Sequence, residues 1–236
     1  MANKSNKNSN QSSQKIPVPL ASLPAVLLPW YDREKRSLPW RDIVTPYRTW
    51  VSEIMLQQTR TEAVLPYFER FMAAAPDVPA LAELAEDRLL SLWQGLGYYS
   101  RARSLQRSAR VMVDQYGGCL PDTYSDLIQL PGIGDYTAGA ILSIAFNQAV
   151  PAVDGNVLRI AARLTACGDN VLDPRTRQHV RDALAAVMPT DRPGDFNQAM
   201  MDLGAAVCLP KNPNCESCPA ASLCAERSRS CRKCIM

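Results

Sequence analysis

Leu130-Pro131-Gly132-Ile133-Gly134-Asp135-Tyr136-Thr137-Ala138 sets two glycines, one residue apart, between two short stretches with helical apolar spacing. Glycine tolerates positive φ and close backbone approach, so the pair predicts a tight turn with a glycine at each end. The helix that follows presents free backbone N–H groups, which bind a phosphate well. Such a hairpin grips a nucleic-acid backbone at Gly132, Ile133 and Gly134 without reading its sequence. An ordinary helix connection uses the same residue types, so the turn alone leaves both readings open.

Outward from this turn the periodicity stays helical. Apolar positions recur at three and four residues in 51–72, 81–93, 105–113, 136–146, 157–164, 180–187 and 196–207. Alternating strand patterns of useful length are absent. Pro and Gly punctuate the joints at Pro76, Gly117-Gly118, Pro151, Pro174 and Pro189. Thr123 is positioned to cap a short segment before the turn, and Asp173 a helix that opens on Pro174. The expected class is all-α.

Two acids stand out. Val153-Asp154-Gly155-Asn156 lies about 20 residues past the turn and just ahead of a helix. Asp154 there is either an N-cap or a functional carboxylate. Glu53 sits in Trp50-Val51-Ser52-Glu53-Ile54-Met55-Leu56-Gln57-Gln58-Thr59, an otherwise apolar helical stretch. A Glu in that setting either closes a polar network or holds its proton by burial and donates it. Gln57, one helical turn on, extends the same face or is surface.

Near the C-terminus, Cys208-x6-Cys215-x2-Cys218-x5-Cys224 puts four thiols within 17 residues. Structural zinc favours two short-spaced pairs, whereas here only the middle pair is close. An iron–sulfur cube takes one thiolate per iron and tolerates such spacing, though zinc stays open. Few large apolar residues accompany these cysteines, so a bound metal is expected to order the segment. Cys231 and Cys234 read as free thiols on a frayed end.

Composition narrows the class further. The 236 residues include 26 basic and 23 acidic side chains. Lys4, Lys7 and Lys15 fall in an Asn/Ser/Gln-rich start, and setting them aside leaves 23 of each sign. A histone-like polycation is excluded, and nucleic-acid contact must come from a local patch. Of the cations only six are Lys, and none lies between Lys35 and Lys211. No run of about 18 apolar residues is present, so no membrane span is expected. The polar start is expected to be a disordered tail rather than a signal peptide. The eight cysteines are then expected in a reducing cytoplasm, nucleoid-associated if bacterial, as metal ligands or free thiols.

Taken together, the four motifs resemble the helix-hairpin-helix DNA glycosylases that carry a [4Fe-4S] cluster. Within that family the chain is most similar to the adenine-specific, MutY-type branch. The resemblance spans roughly residues 27–226. It rests also on Leu38-Pro39-Trp40-Arg41, on Gly95-Leu96-Gly97-Tyr98-Tyr99-Ser100-Arg101-Ala102-Arg103 and on Phe196-Asn197-Gln198-Ala199-Met200-Met201-Asp202-Leu203-Gly204-Ala205.

The resemblance implies a helical barrel over residues 46–150 that carries the hairpin. It implies a cluster domain from both chain ends, residues 20–45 and 151–226, flanked by tails at 1–19 and 227–236. It implies Glu53 as general acid and Asp154 as stabiliser of the sugar cation, with Tyr136 and Asn156 hydrogen-bonding around them. Arg41 and Gln198 would contact adenine, and Trp40 would line its pocket. Gln57, Gln58 and Tyr99 would act at the lesion pair, and Arg101, Arg103, Arg107 and Arg110 on backbone phosphates. Cys208, Cys215, Cys218 and Cys224 would hold the cluster. The implied partner is duplex DNA with adenine opposite 8-oxoguanine or guanine, bound by a monomer. Tyr136 stands where strand-cutting relatives carry Lys, which implies hydrolysis without strand cleavage. The alternatives are a thymine glycosylase on G:T pairs and a non-catalytic cluster-bearing DNA binder. The branch typically continues into a domain that reads 8-oxoguanine, and the sequence stops before one. Weakened discrimination between 8-oxoguanine and guanine is therefore expected.

Overall fold

Thr45-Pro46 opens the helix on which the site is built. The Thr45 hydroxyl accepts from the Arg48 N–H at 3.1 Å, and Pro46 takes the first position, where a missing N–H costs nothing. The same logic recurs along the chain. Asp77 caps onto Ala80, Thr123 onto Asp126 and Asp173 onto Arg175, so both caps expected from sequence form.

The computed structural model describes residues 18–171 and 173–228. The expected polar tail up to residue 17, and Cys231 and Cys234, lie outside these. The helices are α1 (Val18–Ala21), α2 (Leu23–Glu34), α3 (Pro39–Asp42), α4 (Pro46–Leu56), α5 (Thr61–Ala74), α6 (Val78–Glu83) and α7 (Glu86–Trp93). They continue as α8 (Ser100–Tyr116), α9 (Tyr124–Leu127), α10 (Asp135–Ala145), α11 (Gly155–Thr165), α12 (Pro174–Ala185) and α13 (Pro193–Asp202). A π-helical turn at Leu203–Val207, a 3-10 turn at Ala221–Leu223 and α14 (Ala225–Ser228) follow. No strand occurs among the described residues, and no helix there is long and apolar enough to cross a membrane.

Two of the apolar periodic stretches each divide into two helices. Residues 51–72 split at Gln58, whose φ of +57° leaves the helical region. Residues 81–93 split at Leu84, whose carbonyl is taken by the side-chain amide of Gln106. Apolar spacing carries across both breaks because the flanking helices bury the same side, so periodicity cannot see them.

The buried apolar residues form two cores. One gathers Trp50, Val51, Ile54 and Met55 of α4 with Phe68 and Phe71 of α5, Trp93 of α7 and Leu105 and Met112 of α8. The other gathers Leu23 and Leu27 of α2 with Val157, Ile160 and Leu164 of α11 and Phe196 and Met200 of α13. Each such side chain contributes about 1.5–3 kcal/mol when fully buried, so each core is substantial. Leu38 and Trp40 pack into the first core, although they precede α4.

The cores meet where α10 lies against α13. Asn197 fastens that seam. Its amide donates to Ser143 Oγ at 2.7 Å and Val150 O at 3.0 Å, and its carbonyl accepts from Ala152 N at 3.1 Å. A buried amide is stable there only because it is fully paired.

Candidate active site

A cleft of about 410 Å³ opens along this seam. Its walls include Glu53 from α4, Tyr136 from α10, Asp154 and Asn156 at the start of α11, Trp40 and Arg41 from α3, and Gln198 from α13. Seven residues singled out in the sequence therefore share one space. Gln57, Gln58 and Tyr99 do not line it.

Glu53 is 6 % exposed, and burial pushes its carboxyl up from 4.5 to about 7. A hydrogen bond from the Tyr136 hydroxyl and the charge of Arg41 pull the other way, but less. Burial also holds the Tyr136 phenol well above its usual range, with the charges of Glu53 and Asp154 adding to it, so it stays a donor. Near neutral pH, Glu53 is poised to keep or give up a proton.

Asp154 is both a cap and a cleft residue. One oxygen accepts from Val157 N at 2.8 Å, the other from Asn156 Nδ2 at 2.8 Å. Both oxygens accept, as a carboxylate does, and they sit at the positive end of α11. Asn156 is held in turn by Arg159, whose Nη1 donates to Asn156 Oδ1 at 2.9 Å. The same guanidinium donates to Cys208 O at 3.0 Å and Gly204 O at 3.0 Å. Gly204 lets the π turn come this close, since a Cβ there would stand 2.9 Å from the Cβ of Asn156.

The hairpin forms between α9 and α10, with one change. Gly132 takes the left-handed conformation at φ +84°. Gly134 is extended, at φ −105° and ψ −177°, and serves as the N-cap of α10. The turn therefore needs one left-handed glycine, not two. Both glycines are exposed, and the Ile133 side chain anchors the turn in the first core. Asp135, first in α10, accepts from Tyr124 Oη at 2.7 Å and from Arg181 of α12 at 2.6 Å.

Arg101 departs from its expected role on phosphate. Its Nη1 donates to the carbonyls of Ile54, Met55 and Gln57, and its Nη2 to those of Leu96 and Gly97. These carbonyls are left free where α4 ends and where Gly95, Gly97 and Tyr98 turn left-handed. The guanidinium ties the turn carrying Gln58 to the turn leading to Tyr99. Both Gln58 and Tyr99 are exposed. Arg103 pairs with Glu86 at 2.8 Å, and Arg110 reaches Ala82 O. Arg101→Met should unfold at lower urea concentration, by about 1–3 kcal/mol for stranded carbonyls. An unchanged midpoint would show that water replaces the strut.

Cys208, Cys215, Cys218 and Cys224 line one cavity, with Ile160, Leu164, Leu203 and Val207 as apolar wall. Arg163 Nη1 reaches Cys208 Sγ at 3.3 Å. Burial raises the Cys218 thiol, and the three other cysteines add to it. None of the described cysteines forms a disulfide. Among the described residues, no three His, Cys, Asp or Glu side chains are gathered as one metal ion requires.

Sequence reasoning missed Arg36, Arg159 and Asp202. An acid four residues past Gln198 on a buried helix was the available signal for Asp202.

The family model described as "HhH-GPD superfamily base excision DNA repair protein" matches residues 51–187, more than half of the chain. The chain belongs to the HhH-GPD superfamily of base excision DNA repair proteins. This HhH-GPD chain is 47% identical over 207 residues to the adenine DNA glycosylase of Mus musculus, covering 84% of itself and 40% of that protein. It is 47% identical over 212 residues to the one of Homo sapiens, covering 86% and 39%. With that of Buchnera aphidicola (strain APS) it shares 40% over 200 residues, covering 84% and 57%. The chain thus spans about two fifths of the mammalian relatives it matches. Among solved structures it resembles a thermostable thymine-DNA glycosylase, with a TM-score of 0.82 at 25% identity over 90% of this chain and 98% of that one. A trapped endonuclease III–DNA covalent intermediate shares the fold, with a TM-score of 0.73 at 24% identity, covering 88% and 94%.

Proposed function

We propose that this HhH-GPD protein is a monofunctional adenine glycosylase acting on duplex DNA, with adenine opposite 8-oxoguanine or guanine as its target. The observation that carries the reading is a buried, proton-retaining Glu53 in one cleft with Asp154, Tyr136, Arg41 and Gln198. The identity to adenine glycosylases points the same way.

The chemistry requires the adenine to leave the stack and enter the cleft. Trp40 gives it an apolar wall, while Arg41 and Gln198 offer polar contacts to its edge. Glu53, protonated, donates to N7 of adenine. The C1′–N9 bond then breaks with its electron pair going to the base. The deoxyribose becomes oxocarbenium-like, and the Asp154 carboxylate stabilises it. Water adds to C1′ and returns its proton to Glu53. The hairpin at Gly132, Ile133 and Gly134 holds the DNA backbone, and Gln57, Gln58 and Tyr99 act at the rim. The body at 46–150 and the body from residues 20–45 and 151–226 close on the DNA from either side, and the protein acts as a monomer.

Cys208, Cys215, Cys218 and Cys224 fit a [4Fe-4S] cluster. Their one shared cavity has apolar walls, and the Arg163 guanidinium beside Cys208 suits an anionic group. A cube takes one thiolate at each of four irons, which suits four cysteines on one cavity. The cluster supplies order to a segment with little core of its own.

Incubating the protein with A:8-oxoG, A:G and T:G duplexes and identifying the released base tests the reading. Adenine is expected. Release of thymine would favour the second reading, which the likeness to a thymine-DNA glycosylase supports. Binding without release of any base would favour a DNA-binding role alone. Among the described residues no Lys lines the cleft, and Tyr136 occupies the hairpin position. Borohydride should therefore trap almost no covalent protein–DNA complex, and trapping in high yield would overturn the monofunctional assignment.

A further inference from the structure

Asp202 ends α13 and its side chain is 6 % exposed. Two arginines close on it. Arg41 donates through Nη1 to Oδ2 at 2.7 Å and through Nη2 to Oδ1 at 3.1 Å. Arg36 donates through Nε at 3.0 Å and Nη2 at 2.6 Å, both to Oδ1. A forked guanidinium–carboxylate pair fixes direction as well as charge. Arg41 is 11 % exposed and lies over the Tyr31 ring at 5.8 Å, so it has little freedom to swing away. Arg36, Arg41 and Gln198 also wall a second cavity of about 390 Å³ behind the cleft, so this knot separates two spaces.

We propose that Asp202 is the positioning residue that holds Arg41 toward the cleft and offsets its charge, so that Glu53 keeps its proton at neutral pH. The inference rests on the reading of Glu53 as the general acid. A positive charge beside a carboxyl favours the ionised form, which cannot donate. Arg41 comes from α3, which packs on α4, and its charge already lowers Glu53. Asp202 answers that charge from the far side, while Arg36 competes for the same carboxylate.

The other groups around Glu53 are fixed by their own elements. Tyr136 on α10 donates to it, and Asp154 at the start of α11 repels its ionised form. Arg60 and Glu62, one on each side of Thr61 at the start of α5, line the same cleft. Arg101 on α8 bonds the carbonyls at the end of α4. Asp202 itself does not line the cleft, while its partners Arg36 and Arg41 do, and of these two it is Arg41 whose charge lowers Glu53.

The test is the pH profile of single-turnover adenine release. Asp202→Asn keeps the shape and removes the charge. The limb on which activity falls as pH rises should move about one unit lower, with about tenfold loss at pH 8 and only about twofold at pH 6. Asp202→Glu should restore the wild-type limb. Arg36→Met, which gives Asp202 wholly to Arg41, should move the limb upward and tests the idea even if Asp202→Asn folds poorly. A uniform loss at every pH, or an unmoved limb in Arg36→Met, would overturn the proposal. Glu53→Gln run alongside separates the two readings. If it turns over, the general-acid assignment fails. If it is inactive while the Asp202 limb stays put, only the role of Asp202 fails.

Discussion

Glu53→Gln is expected to end adenine release while leaving DNA binding intact. A positioned general acid is worth about 10²–10⁴ in rate, and the poor leaving group here puts Glu53 at the upper end. Gln matches Glu in shape and still meets the Tyr136 hydroxyl, so the cleft should keep its form. Single-turnover kinetics with saturating protein decide the matter, and a rate within a few fold of wild type would remove Glu53 from the chemistry.

The same substitution has an opposite effect on stability. Glu53 goes from 4.5 to about 7 on folding, so the folded chain holds the proton more tightly. Stability from this group is complete below pH 4.5 and is lost as pH rises to about 7. The loss comes to about 3 kcal/mol, since each unit is about 1.4 kcal/mol. Gln carries no such cost. Urea melts should show Glu53→Gln more stable than wild type at pH 8, with the gap closing at pH 4.5. Activity should follow the protonated fraction and fall as pH rises through about 7.

Asp154→Asn is the second large effect. Removing a charge aimed at a developing cation costs on the order of 10²–10³ in rate. Yet Asn caps a helix about as well as Asp, so α11 should keep its start and the melting temperature should barely move. Asp154→Ala should lose both activity and about 1 kcal/mol of stability. Full turnover by Asp154→Asn would leave Asp154 as a helix cap alone. The pairing matters because Asp154 caps α11 through Val157 N on one oxygen and also lines the cleft, with Asn156 Nδ2 on the other oxygen.

Much of this site is legible in the sequence. Glu53 is conspicuous because a charge inside an apolar helical run must be satisfied or functional. Asp154 stands out ahead of a helix as either a cap or a functional carboxylate, Tyr136, Arg41 and Gln198 come from the resemblance, and the structure puts all four around one cleft. What stayed hidden depends on backbone acceptors that no residue type announces. Arg101 looks like any arginine on a basic helix face. Its partners are carbonyls freed by left-handed turns at Gly95 and Gly97 and by the end of α4, and those exist only once the turns are folded together. Asp202 was hidden for a related reason. Its partners sit more than 160 positions away in sequence, and spacing rules reach only along one element.

Gly204 carries one more consequence. It has no polar side chain and stands apart from the carboxylates, yet the space beside it belongs to the Cβ of Asn156. Even alanine would press on the residue that orients Asp154. Position 204 thus admits a one-letter alphabet for reasons of shape. A variant there would look harmless by chemistry and behave like a lesion at Asp154.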